Sequence, residues 1–346
     1  MKDLKYLAAF STPLVAVLAL YLRGYYTFLT PIYAFGMIPI MELIFSQNTK
    51  NLSEEEVEKK SANHLFNWML YLNIPIVFGL LIFTLWNVST GMYATYELIG
   101  LIFSTGIVLG SNGINVAHEL GHRKTQYEQM MAKLLLLPSM YMHFFVEHNF
   151  GHHLHAATKE DPATARYNQV VYSFWCTSTI RQYIKAWKIQ RNLRQRGKFS
   201  FFSFKNNMFW FSLLQISYLA IVFYFLGTLT FVFATVSAVV SFLLLETINY
   251  IEHYGLLRKK LASGRYERLR EIHSWNSNHT IGRIVLYELT RHSDHHYKAS
   301  KKYQLLDCHE KSPQMPFGYP TSMVLALIPP LWFKVMNKRI PSEMIS

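Results

Sequence analysis

The stretch Asn115-Val116-Ala117-His118-Glu119-Leu120-Gly121-His122-Arg123-Lys124 joins the end of an apolar run to the start of a basic region. Its centre, HELGH, fits H-E-x-x-H, in which two histidines one helical turn apart hold Zn²⁺ and the glutamate serves as the base of a metalloprotease. Residues four apart share a helix face, so His118 and His122 aim at one point. What they aim at depends on the helix that carries them and on what else arrives there.

That helix begins in the apolar run 95–117, one of six; the others are 6–22, 25–45, 64–88, 207–227 and 229–251. Each holds roughly the 17–25 mostly apolar residues that a spanning helix needs. Composition agrees: 51% of the 346 residues are hydrophobic and 16% charged, against about 25% charged in a soluble domain. Gly227 and Thr228 part the last two runs, which predicts a tight helical hairpin. The expected fold is all-α, an integral membrane protein of about six transmembrane helices. A single membrane-embedded domain is expected over 1–346, with catalytic segments 118–206 and 252–346. The first run is long and flows into a second, unlike a cleavable signal peptide.

The net charge of +13 is unevenly placed. Most Lys and Arg fall in 46–63, 118–206 and the C-terminal region, which a six-span topology puts on one side; Arg23 is the exception. By the positive-inside rule that side is the cytoplasm of a bacterial inner membrane, with both termini there. Such a distribution argues against nucleic acid and suits anionic membrane lipid or an acidic protein. The cysteines, Cys176 and Cys308, form no C-x-x-C. The chain therefore has no disulfide framework, rubredoxin-type iron site or iron–sulfur cluster of its own, and any electrons it uses come from elsewhere.

Between the spans, Glu54-Glu55-Glu56 reads as a solvated helix start. The run Met130–Phe145 is broken by Pro138 and is expected at the interface or within the fold. Arg181–Lys198 reads as a basic helix, and 321–333, with Pro329-Pro330, is too short to cross.

Histidines supply the second half of the reading. His118 and His122 form H-x3-H, His148, His152 and His153 form H-x3-HH, and His292, His295 and His296 form H-x2-HH; His253 stands alone at the end of the sixth run. If the fourth and sixth spans end at one membrane level, all nine converge just inside the cytoplasmic boundary. Nine nitrogen donors exceed one metal's needs and fit two, and imidazole-rich sites suit iron, zinc or copper better than Mg²⁺ or Ca²⁺. His64 and His143 read as polar anchors, His309 as a solvated tail residue, and His155, His273 and His279 as structural neighbours of the clusters.

Four elements, HELGHRK, EHNFGHH with the following ATKEDPATAR, NYIEHYG, and SWNSNHTIGRIVLYELTRHSDHHYKASKKYQLL, resemble in order and spacing the alkane 1-monooxygenases of the membrane-bound di-iron superfamily that also holds fatty acid desaturases and hydroxylases. NYIEHYG separates that group from the desaturases. The resemblance implies two non-haem irons held by His118, His122, His148, His152, His153, His253, His292, His295 and His296. LTRHSDHH stands where members often read LQRHSDHH, which leaves the three histidines intact. It also implies terminal hydroxylation of a medium- or long-chain alkane by O₂, with electrons from reduced rubredoxin and an NAD(P)H-dependent rubredoxin reductase. A bilayer-dissolved alkane would enter through an apolar passage between helices, and a blind tunnel would present only its tip. Glu119, Glu147, Asp161, Glu252 and Asp294 are placed to orient ligand imidazoles or to form salt bridges. Arg181, Lys185, Lys188, Arg191 and Arg194 would dock an acidic rubredoxin, although positive-inside topology alone also explains them.

Other readings compete. An intramembrane zinc protease needs one further ligand, not seven more histidines. A fatty-acyl desaturase or lipid hydroxylase would use the same iron chemistry on a substrate with a polar head. A metal transporter would string its ligands through the spans, whereas here they gather at one face.

Overall fold

The computed structural model describes residues 2–345, which form two compact units. Among the described residues there is no sheet, only three isolated bridges. Helices are named here as α1 (Asp3–Leu22), α2 (Gly24–Ile44), α3 (Leu65–Thr90), α4 (Thr95–Gly121), α5 (Val171–Gly197) and α6 (Asn207–His253). By length and composition α1, α2, α3, α4 and α6 could each cross a membrane.

The first unit takes the residues up to Met37 with His64–Val146 and Ala186–Leu245. Its helix α6 has 47 residues, and a straight rod of that length would run about 70 Å, more than twice the hydrocarbon core. It is not straight. Gly227 has φ 81° and ψ 174°, a backbone that only glycine adopts cheaply. The rings of Phe223 and Phe231 lie 5.7 Å apart, whereas eight residues of straight helix would separate them by about 12 Å. The chain thus doubles back at Gly227, so the pair of apolar helices expected on either side of that glycine is present within α6.

A core of Leu20, Leu81, Leu85, Val88, Leu101, Val222, Phe233 and Ala234 joins α1, α3, α4 and both arms of α6. On the outside, Leu14, Ile82, Trp86, Ile216 and Phe225 stand exposed. Apolar side chains turned outward along such helices are what a lipid environment selects.

Within this bundle α4 is the central element: 72% of its apolar window is buried, against 28–44% in the other four. Small residues let it sit close. A Cβ on Gly100 would come within 2.8 Å of the Thr27 carbonyl carbon, and one on Gly106 within 2.7 Å of Val240 Cβ. Polar groups fasten the contacts, as expected where packing alone drives helix association. Ser104 Oγ donates to Thr27 O at 2.8 Å, and Asn112 Nδ2 donates to Asn73 Oδ1 at 2.8 Å and Ala9 O at 3.1 Å. A widened π turn, Leu109–Ile114, precedes the α-helical Asn115–Gly121 that carries HELGH. After α4, the helix Gln126–Leu136 ends ahead of Pro138 with Ala132, Leu135 and Leu136 buried, so the run 130–145 lies within the fold.

The second unit takes Ile38–Asn63, Glu147–Lys185 and Glu246–Ser346. The acidic run is a helix start: Ser53 Oγ accepts from Glu56 N at 3.3 Å while the Glu56 carboxylate accepts from Ser53 N at 3.0 Å. The first half of α5 is clamped to the last turns of α6. Ser178 Oγ donates to Glu246 Oε2 at 2.5 Å, Gln182 Nε2 reaches both Glu246 oxygens at 2.9 Å, and Trp175 Nε1 donates to Thr247 Oγ1 at 3.0 Å. The run 321–333 becomes two short helices, Tyr319–Ala326 and Pro329–Met336, the second opening on proline where its missing N–H costs nothing. Trp332, fully buried, packs against the rings of Tyr250 and Tyr254.

Candidate metal centre

The last turn of α6 presents His253, and the helix His292–Tyr297 presents His292 and His296 one turn apart. A π turn, His148–His152, followed by His153–His155, presents the rest. The result is a group of four buried imidazoles, His152, His253, His292 and His296, whose ligand atoms all lie within 4.8 Å of one another. His152 Nε2 faces His296 Nε2 at 3.2 Å and His292 Nε2 faces His253 Nε2 at 3.1 Å.

His148, His153 and His295 form a second gathering in the same unit, again with ligand atoms within 4.8 Å, and His153 Nε2 lies 3.1 Å from His148 Nε2. In the first unit, His118 and His122 sit at the end of α4 with ring centroids 5.0 Å apart.

The donor set fits a metal. Bonds of about 2.1 Å to one ion put two nitrogens roughly 3.0–3.4 Å apart at octahedral to tetrahedral angles, which brackets the facing pairs. Burial, with the neighbouring imidazoles, pushes His296 well below its ordinary pKa and keeps it in the neutral form that ligates. An all-imidazole set suits iron, zinc or copper.

Carboxylates surround the imidazoles unequally. Asp161 Oδ2 lies 2.9 Å from His152 Nδ1, which directs Nε2 into the four-histidine group. Burial alone would raise the Asp161 carboxyl, but His152, Lys185 and the Thr164 hydroxyl hold it well below the usual range. Glu252 Oε2 lies 3.3 Å from His292 Nε2 while Oε1 accepts from the Tyr319 hydroxyl at 2.8 Å. Glu147 is buried beside Lys185, 2.9 Å away, and burial pushes its carboxyl up against that pull. Glu119 pairs with Arg123 at 2.7 Å, one turn along the helix. Asp294 is engaged elsewhere: it accepts from Lys301 Nζ at 2.7 Å, Asp307 N at 2.8 Å and His309 Nε2 at 2.7 Å.

The remaining histidines divide. His64 is exposed and His143 is buried against Tyr141, with burial lowering its pKa to about 3. His309, expected in solvent, is instead held by Asp294. His155 bonds Gly151 O, His273 accepts from Arg270 N, and His279 lies between Gln47 and Ser277. Two residues were not evident from sequence. Tyr319 reaches Glu252 from 67 residues away, and Lys185 turns inward from a helix read as a docking face.

Residues 94–321 match the fatty acid desaturase family. The chain is 38% identical over 325 residues to alkane 1-monooxygenase 1 of Pseudomonas aeruginosa, covering 92% of this chain and 84% of that protein. It is 37% identical over 307 residues to the alkane 1-monooxygenase of Pseudomonas putida, covering 88% and 76%. It is 29% identical over 272 residues to the xylene/toluene monooxygenase hydroxylase component of Pseudomonas putida, covering 78% and 72%.

Proposed function

The chain belongs to the fatty acid desaturase family and, within it, to the alkane 1-monooxygenases, and on that premise we propose that it hydroxylates the terminal methyl group of medium- and long-chain alkanes. The observation that carries this reading is the buried four-histidine group, His152, His253, His292 and His296. Residues 1–346 would act as one catalytic domain.

The residues proposed to hold two irons are those four with His118, His122, His148, His153 and His295, the first two included on spacing and resemblance. Bound iron would supply two-electron activation of O₂, one oxygen atom entering the C–H bond and the other leaving as water. The protein's part is to keep His296 neutral, fix the His152 tautomer through Asp161, and exclude water; the four-histidine group is buried throughout. An alkane offers no polar handle, so its recognition rests on apolar walls and on its position in the bilayer. Electrons would come from reduced rubredoxin, itself reduced by an NAD(P)H-dependent reductase. The exposed Arg181, Lys188 and Arg191 of α5 offer cations to an acidic partner on the cytoplasmic side of the bacterial inner membrane.

Purified protein supplied with rubredoxin, its reductase, NADH and O₂ is expected to convert octane or hexadecane to the 1-alkanol, with about two irons bound per chain. One zinc per chain would remove the iron assignment. An acyl-lipid modified under these conditions, with no alcohol formed, would remove the alkane.

A further inference from the structure

Helix α5 is basic along much of its length, and Arg181, Lys188 and Arg191 project into solvent. Lys185 does not. Its side chain is 18% exposed, and its ammonium lies 2.9 Å from Glu147 Oε1 and 3.7 Å from Asp161 Oδ1. Both carboxylates are buried, at 1% and 0% side-chain exposure. Neither oxygen of Glu147 accepts a hydrogen bond of ordinary geometry among the described residues, so the nearby ammonium is what offsets its charge.

Two buried carboxylates sharing a site repel, and removing the cation between them leaves charge without compensation. The location gives this ion trio a consequence. Glu147 directly precedes His148, and Asp161 grips Nδ1 of His152. One ammonium therefore bears on both ends of the π turn His148–His152. Counting charges, two carboxylates and one ammonium leave a single negative charge, and Asp161 directs it at the His152 ring.

We propose that Lys185 is a positioning residue of the metal centre. Its ammonium balances Glu147 and Asp161, so that Asp161 orients His152 with one carboxylate's worth of negative charge behind that ligand instead of two. The inference rests on the metal-centre reading above. Removing the cation makes the surroundings of the metal more negative, which favours its oxidised form.

The test compares full-length wild type with Lys185→Met, Lys185→Arg, Lys185→Met/Glu147→Gln and, as a control on an exposed cation of the same helix, Lys188→Met. Iron affinity is measured by titration and the reduction potential of the bound iron by redox titration. Lys185→Met is expected to hold ferric iron more tightly relative to ferrous iron, read as a lowered potential. Lys185→Arg and Lys188→Met should stay near wild type. The double variant, which removes one charge of each sign, should recover most of the shift, which a merely structural lysine would not produce. A wild-type potential unmoved by Lys185→Met, or a lowered potential that Glu147→Gln does not restore, overturns the proposal. Should Lys185→Met fail to fold, the double variant decides, and its failure to fold and bind iron also overturns it. Wild-type protein without redox-active iron would overturn the metal reading, and this inference with it.

Discussion

Asp161 and His152 show how far a single contact can set the aim of a proposed metal ligand. The carboxylate holds Nδ1 at 2.9 Å, so the ring offers Nε2 in a fixed orientation. Asp161→Asn keeps the shape but removes the charge, and it is expected to weaken iron binding about 10- to 100-fold while leaving the fold intact. Competition with a chelator, read beside circular dichroism, checks this; unchanged affinity would reduce Asp161 to a structural partner of Thr164. The clustered histidines were legible in sequence because their spacings are local, three or four residues on a helix or on the π turn that follows Glu147, whereas His253 stood out only by its place at the end of the sixth apolar run and by the resemblance. Lys185 was not, because its partners lie 38 and 24 residues away (185 − 147 and 185 − 161) and nothing in a basic helix marks which cation turns inward. His309 misled for the same reason, its partner Asp294 being supplied by another segment.

At the scale of elements, glycines decide how closely the helices of the first unit approach. Gly100 leaves no room for a side chain against Thr27, whereas a Cβ on Gly79 would meet nothing within 4 Å. Gly100→Val is therefore expected to cost about 1–3 kcal/mol by overpacking, while Gly79→Ala should be neutral or gain up to about 1 kcal/mol from helix propensity. Melting of both variants in one detergent checks the contrast, and equal melting temperatures would count against the packing argument. The apolar runs foretold these helices within a few residues, and Gly227 foretold the reversal in α6. The π turns of Leu109–Ile114 and His148–His152 carry no such signature, because they arise where tertiary contacts outweigh the ordinary helical repeat.

For the whole molecule, the two units hold together by different means. The first has a continuous apolar core, whereas much of the second's interior is polar: buried histidines, Glu252, Glu246, Arg283 and Arg291 among them. Metal binding to that interior would contribute folding free energy directly. Stripping the proposed metal with a chelator is thus expected to raise hydrogen exchange in 147–155, 249–255 and 289–297 while 77–88 and 98–108 keep their protection. A uniform rise across both regions would show that the metal stabilises the protein as a whole.

The π turn in α4 has one more implication. Each residue of an α-helix advances its direction by about 100°, so one added residue at Leu109–Ile114 resets the angular phase of everything after it without ending the helix. The segment that packs within the bundle and the segment that aims His118 and His122 can therefore vary separately in azimuth. A lineage could revise its lipid-facing contour without re-aiming His118 and His122.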